Sequence, residues 1–379
     1  MDFSFSEEQD ALRELAAQIF TGMATTERVV EVERTDDRFD RELWAELAKA
    51  NLLGIALPES VGGLGFGMIE LCLLFEQQGR RVAPVPLLPT LAYAAPAVAR
   101  FGTDAQQQSL LGGVNRGETV LTAAWAQPAS NNVLRSSVTA TRTGDGWTLS
   151  GVKVAVPWFH VADAVLVPAE TAEGLTVFVV PAGAVGVSAD RNVTTNREIH
   201  STVTFDDVAV GADAVLGRVG HGAEVVRYAI DRVNLANAAT VLGCCEEALA
   251  MTAAYTSQHE QFGRPLSTNQ GVALRAADAY IDTDGIRVTL WSAAWRLDAG
   301  LPCADEILVA KYWAAEAGDR VVHATQHLHG GMGADVDYAV HRYFIWVKQY
   351  ENLFGGGTQQ LARLGESIAQ HAKAAAGVA

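Results

Sequence analysis

Three histidines near the end of the chain have a spacing that metal sites use. His323 and His327 are four residues apart, so they could share one face of a helix, as zinc ligands do. No acidic or cysteine ligand stands at a supporting spacing, and His327 and His329 interrupt a glycine-containing segment. The sequence therefore predicts no metal site, and we expect these side chains to pack and hydrogen-bond near a subunit interface.

The cysteines are the other candidates for redox or metal chemistry. Cys72, Cys244, Cys245 and Cys303 form no CxxC pair and no metal-like spacing. We expect reduced and mostly buried thiols, because free cysteine behaves as a small apolar residue.

Composition and charge exclude several classes of protein. The chain has 379 residues, 49% hydrophobic and 19% charged, which is enough for two or three packed units. Its formal net charge of -16 repels nucleic-acid phosphates and anionic lipids. No run approaches the roughly 20 apolar residues of a membrane-spanning helix, and no basic leader begins the chain. We expect a cytoplasmic protein that binds neither nucleic acid nor membranes.

Helical periodicity dominates both ends of the chain. Ser6 and Gln9 form a capping box that predicts a helix from about Ser6, and further helical patterns lie near residues 43–48, 68–79 and 88–112. Long helical patterns return beyond residue 220 and continue almost to the end. We predict a helical N-terminal domain over residues 1–115 and a helical C-terminal domain over residues 221–379.

Short β-branched runs separated by Gly, Pro and Asp turns fill the middle of the chain. They are too many and too short for βαβ units, so they predict an antiparallel barrel or sandwich over residues 116–220. The fold class is α+β. The predicted strands are residues 120–126, 138–143, 147–156, 164–168, 176–180 and 201–205.

Motifs in the C-terminal third carry a family resemblance. Residues 261–266 read QFGRPL and are followed by Gln270, and residues 326–331 read QHLHGG. With the loop PESVGGLG at 58–65, the turn GVK at 151–153 and the order of the elements, they resemble the acyl-CoA dehydrogenase family over nearly the whole chain. The resemblance implies a C-terminal four-helix bundle, tetramers that bind FAD between subunits, and an electron transfer flavoprotein or similar acceptor.

The chemistry that the resemblance implies needs three features. A carboxylate removes the proton alpha to the thioester carbonyl of an acyl-CoA, while a hydride leaves the beta carbon for the flavin. The developing charge on the carbonyl oxygen is held by preorganised donors. The site therefore needs a base, a platform for the flavin ring and a clamp for its pyrophosphate.

Neither family position for the base holds an acid in this chain. The two positions correspond to Phe354 and Val233, whose side chains cannot accept a proton. Asp231, followed by Arg232, resembles the missing Glu-Arg pair displaced by two residues, which rotates the side chain about 200° around a helix. No catalytic residue is assigned. Asp231 stays a candidate for the base, at a position displaced by two residues from the one the family uses.

The platform for the flavin ring is also altered. Where the family has Thr-Glu-Pro and a Gly-Ser-Asp segment, residues 126–133 read AQPASNNV. Where the family has Trp-Ile-Ser or Trp-Ile-Thr, this chain has Ala155, Val156 and Pro157, so a ring, a hydroxyl and a backbone donor are missing. Trp158 lies three residues late and is not assumed to substitute.

The pyrophosphate clamp is better preserved. Phe262, Gln270, Gln326 and Gly330 match the residues with which family members reach the flavin of a neighbouring subunit. His259 replaces the usual arginine and cannot make its bidentate phosphate contact. We predict a clamp that is weakened rather than lost.

This asymmetry predicts a partner subunit. The chain resembles the degenerate subunit type of actinobacterial α2β2 acyl-CoA dehydrogenases, which act on bulky CoA thioesters such as steroid side chains. It would complete the FAD site of a homologous catalytic subunit and bind little or no FAD alone. The alternatives are a self-sufficient homotetramer with an unrecognised base, a flavin-free binding or structural protein, and an oxidase that uses oxygen.

Overall fold

The computed structural model describes residues 4–375. These residues form two compact units. One comprises the described residues up to Thr26, Cys72–Ala83 and the described residues from Asn234 onward, and the other comprises Glu27–Leu71 and Pro84–Val233. The boundaries of the three domains predicted above stay a prediction.

The N-terminal part of the chain is helical, as predicted. The Oγ of Ser6 accepts a hydrogen bond from the Gln9 backbone N–H at 3.2 Å, and the Gln9 side chain accepts one from the Ser6 N–H at 2.9 Å, which confirms the capping box. The helices are α1 (Glu7–Met23), α2 (Thr26–Glu33), α3 (Arg41–Lys49), α4 (Met68–Arg81), α5 (Ala95–Phe101) and α6 (Asp104–Asn115), with a π-helical segment at Leu88–Ala94. Helix α2 was not predicted, because its eight residues bury only two valines.

The central part forms one sheet. Its strands are β1 (Leu121–Ala123), β2 (Val138–Thr143), β3 (Gly146–Pro157), β4 (Ala164–Thr171), β5 (Gly174–Pro181), β6 (Val187–Val193), β7 (Ile199–Val210) and β8 (Val215–Leu216). The strand order is β6-β7-β3-β2-β4-β5-β8, with β1 beside β4. Neighbouring strands are antiparallel, except that β1 and β2 each pair with β4 in parallel.

All six predicted strands are confirmed; two strands of the sheet were missed, as were two short strands at residues 260–261 and 264–265. Strand β6 exposes nearly every side chain, so it lacks the alternation of apolar and polar residues that reveals a half-buried strand. Strand β8 has only two residues. The GVK turn lies within β3, where a Cβ on Gly151 would lie 2.3 Å from the carbonyl oxygen of Ser137, so this position requires glycine.

Five helices follow the sheet. They are α7 (Gly222–Gln258), α8 (Gln270–Asp298), α9 (Ala304–Leu328), α10 (Val340–Glu351) and α11 (Gly357–Ala375). Small residues on α7 permit close helix packing, since a Cβ on Gly243 would lie 2.0 Å from the carbonyl oxygen of Glu76 on α4.

All four cysteines are free and three are buried, as predicted. Within residues 4–375, no helix is both long and apolar enough to cross a membrane.

Candidate functional site

A tight hairpin between α7 and α8 carries Phe262 at its tip. Strands β9 (Glu260–Gln261) and β10 (Arg264–Pro265) pair antiparallel, and Phe262 and Gly263 turn the chain with φ angles of 55° and 74°. Two positive φ angles suit the twist of a two-residue hairpin, but a bulky side chain is strained there. The Phe262 ring is 98% exposed. The ring therefore contacts almost nothing within its own unit.

Three aromatic rings stack beside the hairpin, and a fourth lies tilted against them. The ring of His259 stacks on Tyr255, with centroids 5.0 Å apart and planes 14° from parallel. Tyr255 also stacks on His329 at 4.6 Å, and His329 contacts the Tyr338 ring at 5.4 Å. This aromatic stack (His259, Tyr255, His329 and Tyr338) connects the start of the hairpin to the end of α9. It therefore holds the two predicted clamp segments together.

His329 is the buried member of the aromatic stack. Its Nδ1 lies 2.9 Å from the carbonyl oxygen of Thr325, so Nδ1 carries the hydrogen. Burial lowers the pKa of His329, which keeps the imidazole neutral, and its buried Nε2 has no hydrogen-bond partner in the part of the chain that the structure describes. One tautomer is thus fixed, and the ring serves as a rigid support for the turn at Gly330.

The remaining clamp residues lie in the same helical unit. Gln270 is the exposed first residue of α8. Gly330 has a φ of 60°, and a Cβ built on it would meet no atom within 4 Å, so its backbone borders open space. The Nε2 of Gln326 donates to the Gly333 carbonyl oxygen at 3.1 Å, so this amide closes the turn that carries Gly330. The imidazole of His327, which was predicted to pack and hydrogen-bond near a subunit interface, is exposed.

The two positions that were predicted from the sequence to correspond to the base hold apolar side chains. Val233 is fully buried on α7. Phe354 follows α10 with a φ of 55°, and Gly355 follows with a φ of 108°. The Phe354 carbonyl oxygen accepts hydrogen bonds from Gln360 Nε2 at 3.2 Å and from an Arg363 guanidinium nitrogen at 2.9 Å. The turn that presents residue 354 is therefore held in place, although its side chain cannot accept a proton.

A buried lysine supports the helix that leads into this turn. The Nζ of Lys311 donates to the carbonyl oxygens of Tyr350 at 2.7 Å and Glu351 at 3.1 Å, and to Asn237 Oδ1 at 3.3 Å. It thereby adds a donor to the carbonyl groups at the end of α10, where the regular helical hydrogen bonds stop. Burial lowers the pKa of Lys311 to about 7.

Asp231 combines a suitable pKa with an unsuitable position on the helix. Burial raises the pKa of its carboxyl group to about 6, a value that a general base can use. Its neighbour Arg232 lies 3.4 Å from the centroid of the Tyr228 ring and donates to the Tyr228 carbonyl oxygen at 3.0 Å. Asp231 nevertheless stands two residues from Val233, on a different side of α7, so it stays a displaced candidate.

The platform segment of the β domain has an irregular backbone. The register of β3 against β7 shifts between Lys153 and Val156, and Ala155 lies within this shift with a φ of 50°. Pro157 has no N–H, and its carbonyl oxygen accepts a hydrogen bond from Thr122 Oγ1 at 2.6 Å. Ala155, Val156 and Pro157 therefore offer no side-chain donor to a flavin ring, and Pro157 offers no backbone N–H either.

Neighbouring side chains are also committed to the protein itself. Trp158 has a φ of 54° and is buried, with its ring packed edge-on against Phe39 at 5.8 Å. The amide of Gln127 donates to the backbone carbonyl of Asn132. The β-domain segments of this chain thus do not fit a flavin ring of their own. The clamp fits the pyrophosphate side of a flavin better, because Gln270, Phe262 and the backbone at Gly330 are open to a ligand.

The histidines near the end of α9 have partners other than a metal. Within residues 4–375, no three His, Cys, Asp or Glu side chains come together as a ligand set. The Nε2 of His323 lies 3.3 Å from a carboxylate oxygen of Asp319, and its ring packs edge-on against Phe344 at 4.8 Å.

Known families and curated proteins match this chain along most of its length. The acyl-CoA dehydrogenase N-terminal domain matches residues 6–118, and the acyl-CoA dehydrogenase C-terminal domain matches residues 220–371. The acyl-CoA dehydrogenase FadE27 of Mycobacterium tuberculosis is 39% identical over 378 residues, which cover 98% of this chain and 99% of that protein. The mitochondrial isovaleryl-CoA dehydrogenase of Solanum tuberosum is 31% identical, over 86% of this chain and 81% of its own length.

Solved structures share the fold over 97% of this chain. A chain of the ChsE4–ChsE5 complex from Mycobacterium tuberculosis is 40% identical with a TM-score of 0.92, and 99% of it is covered. A chain of a variant of the Tcur3481–Tcur3483 steroid ACAD is 46% identical with a TM-score of 0.91, and 99% of it is covered. The predicted fold class is thereby confirmed. This chain belongs to the acyl-CoA dehydrogenase family of oxidoreductases, which act on CH–CH bonds.

Proposed function

We propose that this chain is the partner subunit of a hetero-oligomeric acyl-CoA dehydrogenase, in which its clamp completes the FAD site of a homologous catalytic subunit. The observation that carries the proposal is the contrast within one helical unit: the turn at Phe354 is kept without an acid, while Phe262 and Gln270 are exposed. Residues that a subunit uses for its own reaction are replaced, and residues that it lends to a neighbour are retained.

The proposal assigns binding and positioning to this chain and proton removal to its partner. FAD, when bound, accepts the hydride from the beta carbon of the acyl group. Gln270 and the backbone at Gly330 face the pyrophosphate, and the exposed Phe262 ring covers apolar surface of the cofactor or of the partner subunit. His259 supplies a weaker phosphate contact than arginine would, because imidazole lacks the planar pair of donors.

The substrate that we propose is an acyl-CoA with a bulky acyl group, such as a steroid side chain. The support is the similarity to a chain of a protein described as a steroid ACAD, with 46% identity over 97% of this chain. We also propose an electron transfer flavoprotein or a similar acceptor for the reducing equivalents. Neither the acyl group nor the acceptor follows from the residues of the clamp alone.

Two purifications test the proposal. In the first the chain is purified alone, and in the second it is purified with a homologous subunit that carries a glutamate at the family position for the base. The isolated chain should be nearly colourless, whereas the complex should contain FAD and oxidise an acyl-CoA with an artificial electron acceptor. Flavin absorbance, native mass and initial rates are the measurements. Stoichiometric FAD and activity in the isolated chain would instead establish a self-sufficient homotetramer, and a complex without flavin would establish a structural subunit.

A further inference from the structure

A cavity of 320 Å³ lies in the β-containing unit, beside β6 and β7. Buried Phe159 and Ser201 belong to its floor, and small side chains, including Ala182 and Ala189, leave its walls open. This volume is within the range of small-ligand pockets. None of the clamp residues and neither family position for the base borders this cavity.

A cation and a hydroxyl group meet on one wall of the cavity. Arg191 on β6 and Ser201 on β7 are directly paired across the two strands, so their side chains project from the same face of the sheet. Arg191 is exposed and has no ion-pair partner in the described part of the chain. The Oγ of Ser201 is buried and has no hydrogen-bond partner among residues 4–375. Two donors are thus available to an anion.

His160 contributes an acceptor on another wall. Its Nε2 lies 2.9 Å from the carbonyl oxygen of Asp37, so Nε2 carries the hydrogen. Burial lowers the pKa of His160; the hydrogen bond with the Asp37 carbonyl opposes this change, and the positive charges of Arg191 and Arg41 lower the pKa further. The ring is therefore neutral and its Nδ1 holds a lone pair, which is buried and without a partner among the described residues. Leaving such a group unpaired is unfavourable, so a bound group with a hydrogen to donate would satisfy it.

We propose that this cavity binds inorganic phosphate. Arg191 and Ser201 donate to anionic phosphate oxygens, and the P–OH group donates to Nδ1 of His160. Phosphate retains at least one such hydrogen at neutral pH, whereas sulfate has the same shape but none. Because sulfate would place a bare oxygen against the His160 lone pair, the site discriminates between two anions that a simple positive patch would bind alike.

Calorimetric titration tests this assignment. The purified full-length chain is titrated with sodium phosphate and, at equal ionic strength, with sodium sulfate. Phosphate should bind saturably and at least about tenfold more tightly than sulfate. Phenyl phosphate, which is mostly a dianion without a P–OH hydrogen at neutral pH, should compete with inorganic phosphate no better than sulfate does, and tight competition would overturn the P–OH contact with His160. Equal affinity for phosphate and sulfate, or no saturable binding, would overturn the proposal.

Three variants locate the binding in this cavity. Arg191→Gln should weaken phosphate binding by about tenfold or more, and Arg135→Gln, an exposed arginine outside the cavity, should change it by less than about twofold. Ala189→Leu should block the cavity, and because Ala189 is exposed the fold should tolerate the change, which thermal unfolding checks. Unchanged binding in Ala189→Leu would refute the site. The test needs neither flavin nor partner, so its result is independent of the proposed function.

Discussion

The clamp and the turn at Phe354 belong to the same helical unit, yet they are held in different ways. The clamp is supported by the aromatic stack and presents exposed groups at Phe262 and Gln270. The turn at Phe354 is held from inside by Lys311, Gln360 and Arg363, and presents no acid. The comparison shows that a turn of the family fold can be retained after its acidic side chain is lost. The backbone groups at a helix end need hydrogen-bond partners whether or not the neighbouring side chain is an acid.

The largest effect that we expect concerns the interior support of the Phe354 turn. Folding lowers the pKa of Lys311 from 10.5 to about 7, so between these values the unfolded chain binds the proton and the folded chain does not. The contribution of Lys311 to the free energy of unfolding should therefore rise with pH across that window, by a few kcal/mol at most. Below about pH 7 the full cost of burying the charged ammonium group is present.

Lys311→Met isolates this contribution, since other groups titrate in the same range. Denaturant unfolding of the two proteins at several pH values measures it. The difference in unfolding free energy between them should change between pH 7 and 10.5. Parallel curves would show that Lys311 keeps its proton and that the end of α10 is held by a permanent charge.

The second effect should appear in the clamp. Tyr255→Leu removes both ring stacks with His259 and His329, each of which contributes about 0.5–1.5 kcal/mol beyond its buried area. Flavin affinity of the complex should fall by about tenfold or more. Tyr255→Phe retains the ring and should restore affinity to within about threefold. Equal losses in both variants would assign the role to the Tyr255 hydroxyl and contradict the stacking account.

A smaller effect is expected for the turn that carries Gly330. Gln326→Ala removes the hydrogen bond to the Gly333 carbonyl oxygen, which is about 0.5–1.5 kcal/mol, so flavin occupancy of the complex should fall several-fold. Gln370→Ala on the exposed side of α11 is the matched control and should leave occupancy unchanged. Full occupancy in Gln326→Ala would remove this residue from the clamp.

The smallest effect is expected at the displaced acid. Asp231→Asn should change the turnover of the complex by less than about twofold, because its side chain leaves α7 on a different side from Val233. Initial rates at saturating acyl-CoA, with flavin content measured in parallel, decide the matter. A fall by several powers of ten with flavin still bound would make this chain the catalytic subunit.

Local sequence signals were sufficient to predict most of the helices and strands. The cap at Ser6 and all six predicted strands depend on residues within a few positions of one another, so periodicity and side-chain type reveal them. Strand β6 escaped detection because its side chains are exposed and its pairing with β7 is the only sign of it. The absence of an acid at Val233 and Phe354 was likewise readable from the sequence, once the family motifs had set the register.

The tertiary structure alone decided how the site residues are used. Stacking of Tyr255 between His259 and His329 brings together the ends of two different helices, and the pairing of Arg191 with Ser201 depends on the register of β6 against β7. The sequence assigned Gln326 to the clamp, and only the structure shows that its amide also donates to the Gly333 carbonyl oxygen. Such contacts join segments distant along the chain. Local periodicity carries no information about them, since packing geometry and the need to satisfy buried polar groups select the partners.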